Sequence, residues 1–253
     1  MMERPDLIVA VDFGMAESGK YTAYSIGSWF NVSGIAFAYR NDNAWSHDVY
    51  RRWPGSNYEH VCKVPTRLVY DKDTDVLWGY HCQSKRKEES DDYEDDNSRE
   101  KGIKWFKLLL DREVLDNMGT EALGSHADVK RWITDFLRHV YIDFMNHVKT
   151  HTFLTPKEWS SANVEFVFSI PTTWESADII KDFREIIKDA GFGCEGQNKK
   201  NHSVSLSLTE ASAAAVCTFK DCAEPLQRGQ SFIVCDAGGG TTVRSTAIFP
   251  SRF

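Results

Sequence analysis

Two aspartates stand where an apolar run meets glycine: Asp12 in LIVAVDFG and Asp236 in FIVCDAGGG. Glycines after a strand let the backbone turn tightly and bring its N–H groups close to an anion, while a carboxylate at the strand end can orient the waters of a Mg²⁺ ion. Two such turns facing each other would clamp a polyphosphate. Either one alone is also an ordinary turn, and it is the echo of one in the other, near the two ends of the chain, that points to a shared site.

The elements that must position these groups alternate between strand and helix. Leu7 to Phe13 reads as a short buried strand closed by Asp-Phe-Gly, and the apolar run Val32 to Tyr39 can pair with it, although Met15 to Asn31 is long for a hairpin loop. VCKVPTRLVYDKDTDVLWGY, from Val61 to Tyr80, reads as a hairpin around the polar turn Asp71 to Asp75. KWFKLLLD and His126 to Lys149 read as helices. In the second, Val129, Ile133, Phe136, Leu137, Val140, Phe144 and Val148 recur at spacings of three and four and form a core stripe. Val164 to Ile170 is a strand stopped by Pro171, and Ser176 to Ala190 a helix ended by Gly191. Val204 to Leu208 is a strand, a helix with the run ASAAAVC starts at Thr209, and Phe232 to Cys235 is a last strand. Strands interleaved with helices indicate an α/β fold. Gln83 to Lys101 is almost wholly charged or polar and reads as a solvated, dispensable loop.

With 253 residues, 42% hydrophobic and 26% charged, the chain can bury a sizeable core. A net charge of -7 argues against a general partner among nucleic acids or acidic membranes. The six cysteines form no CxxC pair and no zinc spacing, so free buried thiols are expected. MMERPDLIVAVDFG supports neither a signal peptide nor a membrane span, and a cytoplasmic setting is expected.

Taken in order, VDFG, FVFSIPTTW, SLTEASAAAV and DAGGGT resemble the first phosphate motif, the strand and Pro loop, the Glu-containing helix start and the second phosphate motif of the heat shock protein 70 ATPases. RWPG, KVPTRLVY, LWG and KWFKLLLD look like the divergent branch of that family common in fungi. The resemblance implies a ribonuclease-H-like (actin-like ATPase) lobe, with a mixed sheet and flanking helices, and ATP and Mg²⁺ as cofactors. It implies that Asp12 and Asp236 hold hydrated Mg²⁺, and that Gly14, Met15, Gly238, Gly239 and Gly240 offer backbone N–H groups to phosphates. Thr241 would contact the terminal phosphate and Glu210 would position the attacking water; the alternative for Glu210 is a carboxylate complementing a helix N-terminus. Lys104 and Lys107 are the candidates for a phosphate-contacting lysine, each also readable as a solvent-facing helix residue.

On that reading residues 1–44 and 151–225 form the first-lobe core, 45–150 an inserted subdomain, and 231–253 the opening strands of a second lobe whose remainder lies beyond Phe253. Nucleotide binding by this half-cleft is expected to be weaker than about micromolar. Met15 and Ala16 stand where the family carries hydroxyls, and Thr242-Val243-Arg244 replaces a residue-then-Asp continuation. The stretch 20–31, flanked by two Ser-Gly registers at Ser18-Gly19 and Ser33-Gly34, reads as inserted, and the tail from Val243 to Phe253 reads as foreign to the family; unspliced introns or a mistaken gene model are the expected source of both. The leading expectation is ATP binding, with Mg-dependent hydrolysis driving chaperone-like switching once the second lobe is supplied and little or no hydrolysis by this stretch alone; ATP/ADP and protein clients or co-chaperones are the expected partners. The rivals are a catalytically inactive pseudo-ATPase acting as an interaction protein and a small-metabolite kinase of the same superfamily.

Overall fold

A computed structural model describes residues 4–14, 32–41, 44–57, 61–70, 76–82, 102–118, 124–150, 156–174, 176–195, 201–221, 231–237 and 242–248. Its central sheet has five strands in line: β1 (Leu7–Asp12), β2 (Val32–Asn41), β3 (Ala44–Val49), β7 (Val164–Ile170) and β8 (His202–Thr209), in the order β3-β2-β1-β7-β8. The first three are antiparallel neighbours, whereas β1, β7 and β8 run parallel. The chain is thus α/β with a mixed sheet and flanking helices. β1 alternates buried Leu7, Val9 and Val11 with more exposed positions, as a strand covered chiefly on one face should.

The expected pairing of the first two apolar runs is present, in the register that sets Asp12 opposite Gly34. Of the two Ser-Gly registers, Ser33-Gly34 is therefore the one inside β2; Ser18-Gly19 and the stretch 20–31 lie outside the described residues. The sheet also reaches into the stretch read as an inserted subdomain, because β3 pairs with β2 along its whole length. Asp6 fastens the start of β1 on both sides, through an ion pair to Arg40 at 2.9 Å and by accepting from the Asn163 N–H at 3.0 Å.

The hairpin between residues 61 and 80 is present as β5 (Leu68–Val69) paired with β6 (Leu77–Trp78); just before it, β4 (Val64–Pro65) leaves the hairpin and adds to β2. KWFKLLLD is not the expected helix. Ile103 exchanges both backbone hydrogen bonds with Leu68, Trp105 turns through the left-handed region at φ 65°, and only Leu108–Leu110 closes a 3₁₀ turn. The pull of Phe106, Leu109 and Leu110 into the core overrides local helix propensity.

Helices follow as α1 (Arg112–Met118), α2 (His126–Thr150), α3 (Pro156–Ser161), α4 (Ala177–Asp189) and α5 (Glu210–Asp221). All seven residues of the expected α2 stripe are buried, joined by Trp132, Tyr141 and Met145. Ser176 caps α4, its hydroxyl accepting from the Asp178 N–H, and the chain leaves that helix through Gly191. At φ 113° a Cβ on Gly191 would stand 2.9 Å from the Tyr141 ring, so both conformation and packing demand glycine. β9 (Ser231–Ala237) and β10 (Thr242–Ile248) form a separate antiparallel pair, with α5 packed against β9 as well as β8. The first part of the foreign-looking tail is thus the β10 strand. The charged stretch 83–101 lies outside the described residues.

Candidate functional site

Parallel strands bring their carboxyl ends to one edge of a sheet, and in open α/β sheets ligands bind in the crevice beyond that edge. Here the edge carries Asp12 as the last residue of β1 with Phe13 and Gly14 after it, Pro171 to Trp174 after β7, and Glu210 directly after β8. Phe13 anchors the first of these segments. Its ring is fully buried among those of Phe106, Phe136 and Phe183, with centroids 5.9–6.2 Å away.

The Phe13 backbone carbonyl accepts a hydrogen bond from the Lys107 ammonium, which also pairs with the Glu210 carboxylate at 2.5 Å. Lys107 is 4% exposed, so its charge is taken almost wholly out of water, a costly placement unless it is matched. Glu210 matches it, and the rings of Phe13 and Trp174 lie 5.5 and 6.0 Å from the ammonium nitrogen. An ammonium has three donors. Of the two candidate lysines, Lys107 is the one delivered to the end of β1, by the turn at Trp105; Lys104 is half-buried in the approach to that turn.

Glu210 opens α5, where Thr209 is the capping residue: its hydroxyl accepts from the Ser212 N–H at 3.1 Å. The carboxylate therefore does more than complement a helix N-terminus, because its partner lies 103 residues away in sequence. Asp12 is half-exposed and forms an ion pair with the ammonium of Lys63. Sequence reasoning missed Lys63. The only signal was its place in KVPTRLVY, and nothing in that text shows that β4 would pair with β2 next to the end of β1.

Asp236 lies in β9, opposite Val243 of β10; its side chain is outside the described residues, as are Met15, Gly238, Gly239, Gly240 and Thr241. The structure thus brings together Asp12, Gly14, Glu210 and Lys107. Among the described residues no group of three or more His, Cys, Asp or Glu could hold a metal. Mg²⁺ commonly keeps several waters and takes one or two carboxylates plus phosphate oxygens, so the half-exposed Asp12 fits a cation that arrives with a phosphate ligand.

Elsewhere, a cavity lined by Arg184, Lys188, Phe192, Cys194, His202 and Ser203 sits by the amino end of β8, away from this edge. Cys82 is buried in the core, where desolvation pushes its thiol up to about 11, but the expectation of buried thiols fails for Cys194 and Cys217, which are exposed, and Cys62 is half-buried. No family model matches the chain, and no curated protein matches it. No described helix is long and apolar enough to cross a membrane.

Proposed function

We propose that this chain is the first lobe of an ATP-binding domain of the heat shock protein 70 type, with the ribonuclease-H-like sheet of the actin-like ATPases. The observation that carries the reading is the buried Lys107 ammonium, held by the Phe13 carbonyl and Glu210 at the carboxyl ends of β1 and β8. It supplies a desolvated cation beside a glycine turn, where a phosphate chain needs one. The mixed sheet with flanking helices is the kind of lobe that the motif resemblance implies.

In this reading Gly14 lets the backbone approach a phosphate, Lys107 neutralises charge on it, and Glu210 accepts a hydrogen bond from the attacking water. Asp12, together with Asp236, holds the hydrated Mg²⁺, which supplies further neutralisation of the phosphates. Little covalent chemistry is asked of the protein; placing the water and matching charge carry the reaction. ATP and ADP are the ligands proposed, and chaperone-like switching with protein clients is the proposed use.

Glu210→Gln, with the second lobe supplied and folding followed by the thermal midpoint, tests the reading: the amide oxygen can still accept from Lys107 but no longer balances its charge, so a lower midpoint is expected alongside the kinetic effect. Hydrolysis is expected to fall by about 10²-fold or more, with ATP affinity changed by less than about threefold. Unchanged hydrolysis would contradict the role given to Glu210.

A second reading, an inactive pseudo-ATPase used for interaction, is favoured by one observation: Lys63 already matches the charge of Asp12. ATP binding without turnover even with the second lobe supplied is what that reading predicts.

A further inference from the structure

We propose that Lys63 is a resident cation of this phosphate site: it neutralises Asp12 and bridges it to an incoming polyphosphate, so that nucleotide binding depends little on Mg²⁺. The inference rests on the ATP-site reading and names the counter-ion of that site.

The placement of Lys63 is built into the fold at several points. Its neighbour Val64 pairs with Ser33 in β2. The Ser33 and Thr66 hydroxyls, both buried, lie 2.8 Å apart, and the Tyr80 hydroxyl donates to the Lys63 carbonyl at 2.9 Å. The side chain then crosses β2 at the residue that pairs with Asp12, which is Gly34. A Cβ at Gly34 would stand 2.7 Å from Lys63 Cδ and 3.0 Å from the Cys62 carbonyl oxygen, so any larger residue there must displace the Lys63 stem. The side chains of Lys63 and Asp12 are 30% and 49% exposed, and ion pairs with that much access to water contribute little to stability. The pinned backbone and cleared path are accounted for by the ligand instead. A polyphosphate beside Asp12 sets like charges together, and an ammonium with three donors on a flexible stem can contact the carboxylate and a phosphate oxygen at once. A hydrated Mg²⁺ seeking Asp12 has to share or displace that ammonium.

Calorimetric titration with ATP in excess Mg²⁺ and in excess EDTA, on the parent chain, Lys63→Met and Gly34→Ala, tests the inference. The parent Kd is expected to differ by less than about threefold between the two media, whereas Lys63→Met loses about tenfold or more in EDTA and regains it with Mg²⁺. Gly34→Ala, which pushes the Lys63 stem aside, shifts the same way. Thermal midpoints taken alongside show that each variant is folded. A parent that needs Mg²⁺ as strongly as Lys63→Met overturns the inference and leaves the ATP site standing. No ATP binding by any of the proteins in either medium overturns both.

Discussion

Lys107 carries the charge balance of the proposed site, and its replacement separates a structural role from a ligand-binding one. Lys107→Met keeps an apolar stem of similar length in the same space, between the rings of Phe13 and Trp174. Glu210, left without its partner, is 26% exposed and can turn to water, so the full penalty of an orphaned buried charge does not apply. Urea denaturation is expected to show a loss within about 1.5 kcal/mol with an unchanged slope. ATP affinity is expected to fall by about tenfold or more, because a desolvated ammonium contributes most where charge is concentrated. A large stability loss with nucleotide affinity intact would mark Lys107 as a core ion pair and nothing else.

Among the elements, β8 makes a pH-dependent contribution. His202 at its start is 4% exposed; its Nε2 lies 3.1 Å from the Trp159 carbonyl, and its ring packs edge-on against the Trp159 indole. Desolvation by burial holds its pKa below the ordinary value of 6.5. The unfolded chain therefore binds a proton on this side chain at a higher pH than the folded one does. Its contribution is complete above about pH 6.5 and is lost as the pH falls toward the depressed folded value, with a slope of up to about 1.4 kcal/mol per pH unit for one proton. His202→Gln should flatten the fall in urea midpoint between about pH 7 and 5 relative to the parent; parallel curves would contradict the assignment.

The same scale shows what the sequence could and could not reveal. The α2 stripe, β1, β7 and the helix end at Gly191 were legible because periodicity and capping chemistry are local. The failure at KWFKLLLD came from a distant partner: Leu68 pairs with Ile103 and fixes the chain before any helix can start. Lys63 was hidden for the same reason, since its role depends on β4 joining β2 and on Gly34 leaving a gap. α3 and β3 were missed as well, being short or mostly exposed and so without a clear apolar period.

For the whole molecule, a net charge of -7 opposes a polyanionic ligand at long range, yet the proposed site carries Lys63 and Lys107 within one strand end. With a Debye length of about 8 Å in physiological salt, the distant carboxylates are screened and the outcome is decided locally, where Lys63 offsets Asp12 and Lys107 offsets Glu210. Burial strengthens the Lys107 contribution further, because its field is weakened less by water. The most direct test of this account is a calorimetric titration of the chain with ATP, with the Lys107→Met variant titrated beside it. Saturable binding at one site, competed by ADP and weakened in the variant, is the predicted result. No binding at any ATP concentration, or binding that Lys107→Met leaves untouched, would contradict the placement of a nucleotide at the carboxyl ends of β1 and β8.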